Sequence, residues 1–164
     1  KEYELTDESY VCGQATPKAM MGSNIALRYK QWDITVQMNG AFGHKIYNGT
    51  ANTYMNMLSL PNYNVMKGAP QMNIQDQNIS DYWLERGDYV NIDYVTLGWN
   101  VPLRSRYVRS LRLSCSVNNL ATITGYSGLT PMINSSVVNG TLGVDDKRSF
   151  PVYRSYSFGL SIQF

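Results

Sequence analysis

The residues of this 164-residue chain that could carry out catalysis or bind metals form no recognisable motif. There is one histidine, His44, and there is no Gly-x-Ser-x-Gly motif and no cluster of cysteine and histidine. The acidic pair Asp145 and Asp146 is most simply a solvated loop pair, because no other carboxylate forms a motif with it. Cys12 and Cys115 fall in segments of different character, so we expect them to be unpaired. The sequence therefore predicts neither an enzyme nor a bound cofactor.

Aromatic side chains are the other candidates for binding chemistry. The chain has 13 tyrosines and 3 tryptophans, and Tyr63, Trp83 and Tyr126 fall in segments without sustained alternation. Exposed rings can stack on a sugar, so these three are candidate substrate contacts. A soluble β-sandwich that binds carbohydrate is one interpretation of this pattern, although it predicts charged outer strand faces that the sequence lacks.

The strands that would position such residues are marked by alternation, most clearly in residues 153–164. The odd positions from Ser157 onward are Ser, Gly, Ser and Gln, and none is charged. Period-two alternation of this kind predicts a strand with one apolar face. A small, uncharged polar face suits a wet barrel interior, and the apolar face then meets lipid. The predicted lipid-facing residues are Tyr156, Phe158, Leu160, Ile162 and Phe164.

Similar alternation predicts four more strands, which are residues 21–30, 32–42, 88–102 and 110–118. A tight turn at Lys30 and Gln31 joins the first two. In the third, the apolar positions change parity, which predicts a β-bulge near Asp93 and Tyr94. The fourth has one charge, Arg112, on its polar face. The short turn before it is basic and is expected to face headgroups or water; its arginines are Arg104, Arg106 and Arg109.

Two long connections, residues 43–87 and 119–150, interrupt these strands. The first contains a predicted short helix over residues 50–60, capped by Thr50 or Asn52. Short and long connections alternate along the chain, as they do between the periplasmic and extracellular ends of outer-membrane barrels. The predicted fold is therefore all-β, with antiparallel strands forming the C-terminal wall segment of a large transmembrane β-barrel.

The composition agrees with this fold and excludes other classes. Charged residues make up 16% of the chain, below the ~25% of ordinary soluble domains. No apolar run is long enough for a membrane-spanning helix. The net charge of +2 is small, and no basic stripe with interleaved aromatics is present, so nucleic acid is not a predicted partner.

Several stretches match one known family in order and spacing. They are residues 84–90 running into 95–99, residues 118–120 with 126–131, residues 143–145 leading through 150–151 to the last strand, and the hairpin 22–43. These stretches resemble the C-terminal end of the SusC/RagA-type TonB-dependent transporters of Bacteroidetes outer membranes. Thr130 departs from the pattern, because the family usually has Asp before this proline.

The resemblance implies a cell outer-membrane transporter that imports oligosaccharides or peptides with energy from TonB. It also implies an internal plug and a SusD-like surface lipoprotein that closes the barrel like a lid. The chain begins with Lys1, and residues 1–164 are expected to be the C-terminal part of such a receptor barrel, with the plug, the TonB-binding segment and the remaining strands absent from it. By resemblance, the last strand with Phe164 is part of an assembly signal. Tyr63, Trp83 and Tyr126 would then touch substrate or lid.

Overall fold

The structure, a computed structural model, describes residues 6, 8–133, 142–147 and 150–164. Within these residues there are eight β-strands and two short α-helices. The strands are β1 (Ala19–Tyr29), β2 (Trp32–Phe42), β3 (Lys45–Asn48), β4 (Leu84–Arg86), β5 (Tyr89–Val101), β6 (Ser110–Thr124), β7 (Val144–Asp145) and β8 (Ser155–Gln163). The helices are α1 (Gly49–Tyr54) and α2 (Ala69–Met72). Among the described residues, no helix combines the length and the apolar character needed to cross a membrane.

The chain divides into two compact units. The sheet unit comprises Met20–Ala41, Tyr89–Thr124 and Val152–Phe164. The loop unit comprises Lys1–Ala19, Phe42–Asp88 and Gly125–Pro151. The two predicted long connections therefore fold mostly as one unit with the segment that precedes β1.

Five strands form the sheet of the sheet unit, in the order β1-β2-β5-β6-β8, which confirms the predicted number. The predicted turn joins β1 to β2, and Lys30 there adopts a left-handed φ of 52°. The pairs β2–β5, β5–β6 and β6–β8 are all antiparallel. Successive side chains of a strand point to opposite faces, so the alternation read from the sequence becomes one apolar and one polar face. The predicted all-β antiparallel fold class is confirmed.

The strand register shifts once along β5. The shift falls between Gln37 and Met38 of β2, and between Ile92 and Tyr94 of β5. Asp93 is left out of both ladders, which confirms the bulge predicted there. Because of this extra residue, the side chains of Ile92 and Val95 point to the same face of the sheet, although one residue number is even and the other is odd.

The strand β6 is longer than predicted. The alternation suggested an end at residue 118, but the strand continues to Thr124. Asn119 adopts a left-handed φ of 51°, and the residue opposite Ile92 is Ala121. This second irregularity interrupts the alternation, so the sequence pattern does not reveal that residues 119–124 belong to the same strand. The predicted loop boundary at 119 is therefore wrong; of the connection that begins at residue 125, residues 134–141 and 148–149 lie outside the described residues.

The loop unit contains a three-stranded sheet in the order β4-β3-β7. β3 pairs antiparallel with β4 and parallel with β7, so this sheet joins residues from both long connections. α1 follows β3 directly, and its cap is Asn48, whose side-chain oxygen accepts a hydrogen bond from Ala51 N at 2.8 Å. The predicted cap at Thr50 or Asn52 is therefore wrong, because the asparagine before them already reaches the free amide. The predicted helix is also divided, into α1 and a 3-10 helix at Met57–Ser59.

The interior of the loop unit mixes apolar and polar side chains. Its buried residues include Ile46, Ala69, Ile74 and Trp83, and also Asn48, Asn56 and Asp145. Buried polar groups are stable only when they are hydrogen-bonded. The loop unit therefore depends on side-chain hydrogen bonds as well as on apolar packing.

Candidate functional site

One face of the sheet unit is built from rows of apolar residues that continue across four strands. Read from β2 through β5 and β6 to β8, the rows are Trp32, Trp99, Leu113 and Leu160; Ile34, Leu97, Cys115 and Phe158; and Val36, Val95, Val117 and Tyr156. A further row nearer the short turn contains Val101, Leu111 and Ile162. This alignment of four separate strands produces one continuous apolar surface.

Within the described part of this chain, the apolar surface is exposed. The exposed fractions of the five residues predicted to face lipid are 61% for Tyr156, 82% for Phe158, 64% for Leu160, 44% for Ile162 and 80% for Phe164. A contiguous apolar surface of this kind marks contact with another apolar partner. Cys115, on the same surface, and Cys12, in the loop unit, are both free.

Aromatic rings flank the β1–β2 turn on the apolar face. Trp32 and Trp99 are paired across β2 and β5, and their rings stack with centroids 5.2 Å apart and 7° between the planes. Before the turn, Lys30 Nζ lies 5.2 Å from the centre of the Tyr29 ring. Rings beside a cation suit the boundary between hydrocarbon and headgroups. This end of the sheet can therefore anchor at a membrane surface.

The opposite face consists mainly of small polar and amide side chains. Two of its rows are Thr35, Thr96, Ser116 and Ser157, and Gln37, Tyr94, Asn118 and Ser155. The oxygens of Thr96 and Ser116 lie 2.9 Å apart, and Asn118 donates to Ser155 Oγ at 3.1 Å. Such a face can be wetted or can contact a polar protein surface.

An ion pair spans three strands of the polar face. Arg112 on β6 donates from Nη1 and Nη2 to the two carboxylate oxygens of Asp33 on β2, both at 2.7 Å. The arginine side chain crosses β5 at Gly98, which is paired with Asp33. A Cβ at Gly98 would overlap the guanidinium of Arg112. The sequence placed Arg112 on this face, but its partner was missed because strand order is needed to bring the two together.

Gly98→Ala should therefore weaken this ion pair. We expect the complete protein to unfold at a lower temperature, because the added methyl group displaces the guanidinium from a bidentate ion pair. The side chains of Arg112 and Asp33 are 37% and 18% exposed. Gly22→Ala is the matched control, since a Cβ there meets nothing within 4 Å. The measurement is the thermal unfolding temperature in detergent, and equal temperatures for the two variants would contradict the prediction.

A hydrogen-bond network holds the bulge on β5. Asp93 Oδ1 accepts from Asn39 Nδ2 at 2.5 Å and from Asn91 Nδ2 at 2.6 Å. Asn91 is 2% exposed, and its oxygen accepts from Thr122 Oγ1 at 2.7 Å. The extra residue thus supplies a half-buried acceptor as well as a change of register. The parity break predicted the bulge but not this network.

The three aromatic residues predicted to touch substrate or lid have different surroundings. Tyr63 is 57% exposed and meets the ring of Tyr54 edge-on, with centroids 6.2 Å apart. Trp83 and Tyr126 are only 4% and 6% exposed, so their rings lie in the interior of the loop unit. A contact with substrate stays a prediction for Tyr63, whereas Trp83 and Tyr126 present no ring face at the surface of this chain.

Asp145 is a buried hydrogen-bond centre of the loop unit. Its carboxylate accepts from Thr50 Oγ1 at 2.9 Å and from Tyr126 Oη at 2.8 Å. Asp145 has no exposed surface, so the prediction that it forms a solvated pair with Asp146 is wrong. Its burial follows from β7 pairing with β3, which alternation could not reveal in a strand of two residues.

The surroundings of Tyr126 disfavour its ionised form. Burial, together with the hydrogen bond to the Asp145 carboxylate, raises the pKa of Tyr126 well above its ordinary value. A raised folded-state pKa adds stability that is complete below the pKa of an unfolded tyrosine, about 10. This stability is lost as the pH rises through the window between the unfolded and the folded pKa.

We therefore expect the loop unit to open more readily above about pH 10. Ionisation of Tyr126 should lower the free energy of opening the loop unit by up to about 1.4 kcal/mol per pH unit in that window. Tyr126→Phe should remove this part of the pH dependence, and Tyr63→Phe, at an exposed ring, should not. Hydrogen exchange of the complete protein at increasing pH measures the effect. The same alkaline slope in both variants would exclude this role for Tyr126.

A cleft of about 500 Å³ lies within the loop unit, with Tyr10, Lys45 and Asp81 in its wall. Tyr10 Oη donates to Asp81 Oδ2 at 2.9 Å, and Lys45 Nζ donates to the carbonyl of Cys12. Hydrogen bonds between wall residues therefore engage these groups. Across the described ranges, no group of three or more His, Cys, Asp or Glu side chains is arranged to hold a metal ion.

Curated relatives match nearly the whole chain. TonB-dependent receptor P3 of Formosa agariphila is 28% identical over 97% of this chain and 18% of its own length. TonB-dependent receptor SusC of Bacteroides thetaiotaomicron is 22% identical over 96% of this chain and 16% of its own length. The chain therefore spans less than a fifth of these relatives. No protein-family model matches it.

Solved structures show the same fold. The RagAB peptide importer in the closed-closed state superposes with a TM-score of 0.74 and 16% identity, over 99% of this chain and 19% of that one. Another structure of the RagAB peptide transporter gives a TM-score of 0.68 and 16% identity over 94% of this chain. At this identity the likeness concerns the fold alone.

The two-faced antiparallel sheet and these fold matches define the fold class as an antiparallel, barrel-like segment of the kind found in the RagAB structures. Within that class, the chain resembles a segment of the SusC/RagA-type TonB-dependent transporters. The resemblance read from the sequence blocks is confirmed.

Proposed function

We propose that this chain supplies wall strands and folded connections of an outer-membrane transporter that imports nutrients with energy delivered through TonB. The observation that supports this most directly is the contrast between the two faces of the sheet unit. Lipid on one side and a wet or plug-filled interior on the other account for both faces. The five strands have 9 to 15 residues, enough for the ~9–11 that cross a bilayer when tilted.

On this proposal the apolar rows face lipid, with Tyr156, Phe158, Leu160, Ile162 and Phe164 on the β8 side. The alternative, a soluble carbohydrate-binding β-sandwich, requires a second sheet packed over the same rows. The 82% exposure of Phe158 and the 64% exposure of Leu160 speak against such packing. A role as a membrane wall requires no catalytic motif, and we propose no enzymatic role.

The proposed partners are outer-membrane lipid, the plug and other strands of the same transporter, TonB acting through another part of that protein, and a SusD-like lipoprotein. The names of similar proteins support this assignment. One curated relative is called SusC, and one matching structure is that of the RagAB peptide importer. Both oligosaccharides and peptides remain substrate candidates. Tyr63 is the proposed contact with substrate or lipoprotein, because its ring is exposed.

The experiment is an uptake assay with the complete protein in its native host. Cells that express it should accumulate labelled oligosaccharides or peptides, and this accumulation should stop when TonB or the proton gradient is removed. Affinity purification from the outer membrane should recover a lipoprotein in stoichiometric amount. Uptake that persists without TonB, or a protein found outside the outer membrane, would overturn the proposal.

Phe164 permits a separate test of the assembly role that the resemblance gives to the last strand. Phe164→Ser removes a side chain whose full burial is worth ~1.5–3 kcal/mol, too little to unfold a large barrel. We expect less protein in the outer membrane but normal heat resistance of whatever assembles. Normal amounts of a barrel that melts at lower temperature would show that Phe164 acts only through packing.

A further inference from the structure

The apolar face of the sheet unit contains a groove of about 400 Å³. Trp32 and Trp99 border it on β2 and β5, and Phe158 and Leu160 border it on β8. Between them lies Cys115, the smallest side chain of its row. The groove therefore results from one small residue set among large ones, and its lining suits an acyl chain.

The short turn between β5 and β6 lies toward the same end of the sheet as this groove and is strongly basic. Residues 100–110 contain three arginines and no Asp or Glu. Arg104, Arg106 and Arg109 are all exposed. The backbone N–H of Arg109 donates to Gln163 O at 2.8 Å, which continues the hydrogen-bond ladder between β6 and β8. Arg109 is two residues before Leu111, so it lies on the same side of the strand as Leu111 and Leu113. At ~3.3 Å per residue, Arg109 is about 13 Å along the strand from Leu113 in the groove.

Lys30 adds a cation at the neighbouring turn. Its ammonium lies over the Tyr29 ring, and Trp32 of the groove follows two residues later. The only acidic residue in positions 20–40 is Asp33, and that carboxylate is bound by Arg112 on the opposite face. The lipid side of this end therefore presents cations beside an apolar groove.

We propose that this end of the sheet binds one glycerophospholipid with a net negative headgroup. Its phosphate lies among Arg104, Arg106 and Arg109, and one acyl chain occupies the groove beside the tryptophan pair. A zwitterionic lipid is the poorer ligand, because its own amine offsets the phosphate among the cations. The proposal rests on the proposed function, since the apolar face must lie in a membrane for the site to exist.

The test uses the complete transporter, equilibrated with equal amounts of phosphatidylglycerol and phosphatidylethanolamine. Native mass spectrometry then identifies the retained lipids. Each basic residue near an anionic surface changes binding by about fivefold, so the variant with Arg104→Gln, Arg106→Gln and Arg109→Gln should lose about 100-fold of the preference for phosphatidylglycerol. Arg86→Gln, at an exposed arginine of the loop unit, is the matched control and should retain it. Cys115→Phe fills the groove and should release the same lipid.

Retention in the native protein with loss in both the arginine and the groove variants supports the proposal. An unchanged preference in the triple variant, or full retention in Cys115→Phe, overturns it. Selective retention of lipid A also overturns it, because the occupant would then be another class of lipid. Outer-membrane amount and TonB-dependent uptake are measured in parallel. If the native protein shows no lipid preference but takes up substrate normally, the lipid site is refuted and the proposed function stands. If the protein is absent from the outer membrane, both proposals are refuted.

Discussion

Phe158→Arg should destabilise the assembled transporter by about 2–4 kcal/mol, the cost of a basic side chain on the lipid face near the bilayer midplane. Phe158 lies near the middle of β8 and is 82% exposed. In a soluble protein, charging so exposed a phenylalanine would be nearly neutral, because its surroundings are water. The sign and size of this change therefore distinguish lipid from water directly. Denaturant unfolding of the complete transporter in lipid vesicles measures it.

Ser157→Arg is the matched control for Phe158→Arg. Ser157 is the preceding residue of the same strand and points to the polar face, in the row with Thr96 and Ser116. We expect a change below about 1 kcal/mol, since charges on the lumen side do not meet hydrocarbon. Equal costs at the two positions, or a neutral Phe158→Arg, would refute the assignment of the faces.

Asp145→Ala should lower the free energy of opening the loop unit by about 2–6 kcal/mol, because the buried hydroxyl of Tyr126 and the half-buried hydroxyl of Thr50 lose their acceptor at ~1–3 kcal/mol each. The effect should be local, since the sheet unit has its own ladders and ion pair. We expect faster hydrogen exchange in peptides covering residues 48–51 and 125–127, with unchanged exchange in β5 and β6. The measurement is hydrogen exchange of the complete protein followed by mass spectrometry.

Asp146→Ala provides the comparison for Asp145→Ala, because Asp146 is adjacent in the chain but only partly buried. We expect a smaller loss of stability than for Asp145→Ala, because a partly buried carboxylate is still reached by water. Tyr126→Phe should fall between the two, because it removes one donor and leaves the carboxylate its bond from Thr50. If Asp145→Ala and Asp146→Ala accelerated exchange equally, Asp145 would not be the hydrogen-bond centre of the loop unit.

The sheet unit was largely predictable because each strand records its own two faces in its sequence. The even positions of β8, the turn at Lys30 and the parity break near Asp93 all follow from local alternation, without knowledge of neighbouring strands. The continuation of β6 beyond Asn119 was hidden because a left-handed residue interrupts that alternation.

Contacts between distant segments could not be predicted in the same way. Arg112 and Asp33 meet only because β2, β5 and β6 are adjacent in the sheet. Asp145 is buried only because its two-residue strand pairs with β3. Trp83 and Tyr126 were expected at the surface because they lie in irregular segments, yet a hydrogen-bonded interior forms there without periodic apolar residues.

The position of the Arg112 side chain over Gly98 also affects which strand register the sheet adopts as it folds. Backbone ladders form equally well in neighbouring registers, and an apolar environment distinguishes poorly among the many similar apolar side chains of such strands. A slip of β2 by two residues would keep its apolar side chains on the apolar face, but it would move Asp33 by about 7 Å along the strand and leave the guanidinium of Arg112 without this carboxylate. A slip of β5 would replace Gly98 with a bulkier neighbour beneath the arginine. Three residues on three strands thus select one strand register, because the ion pair is lost in shifted registers that still keep the apolar face intact.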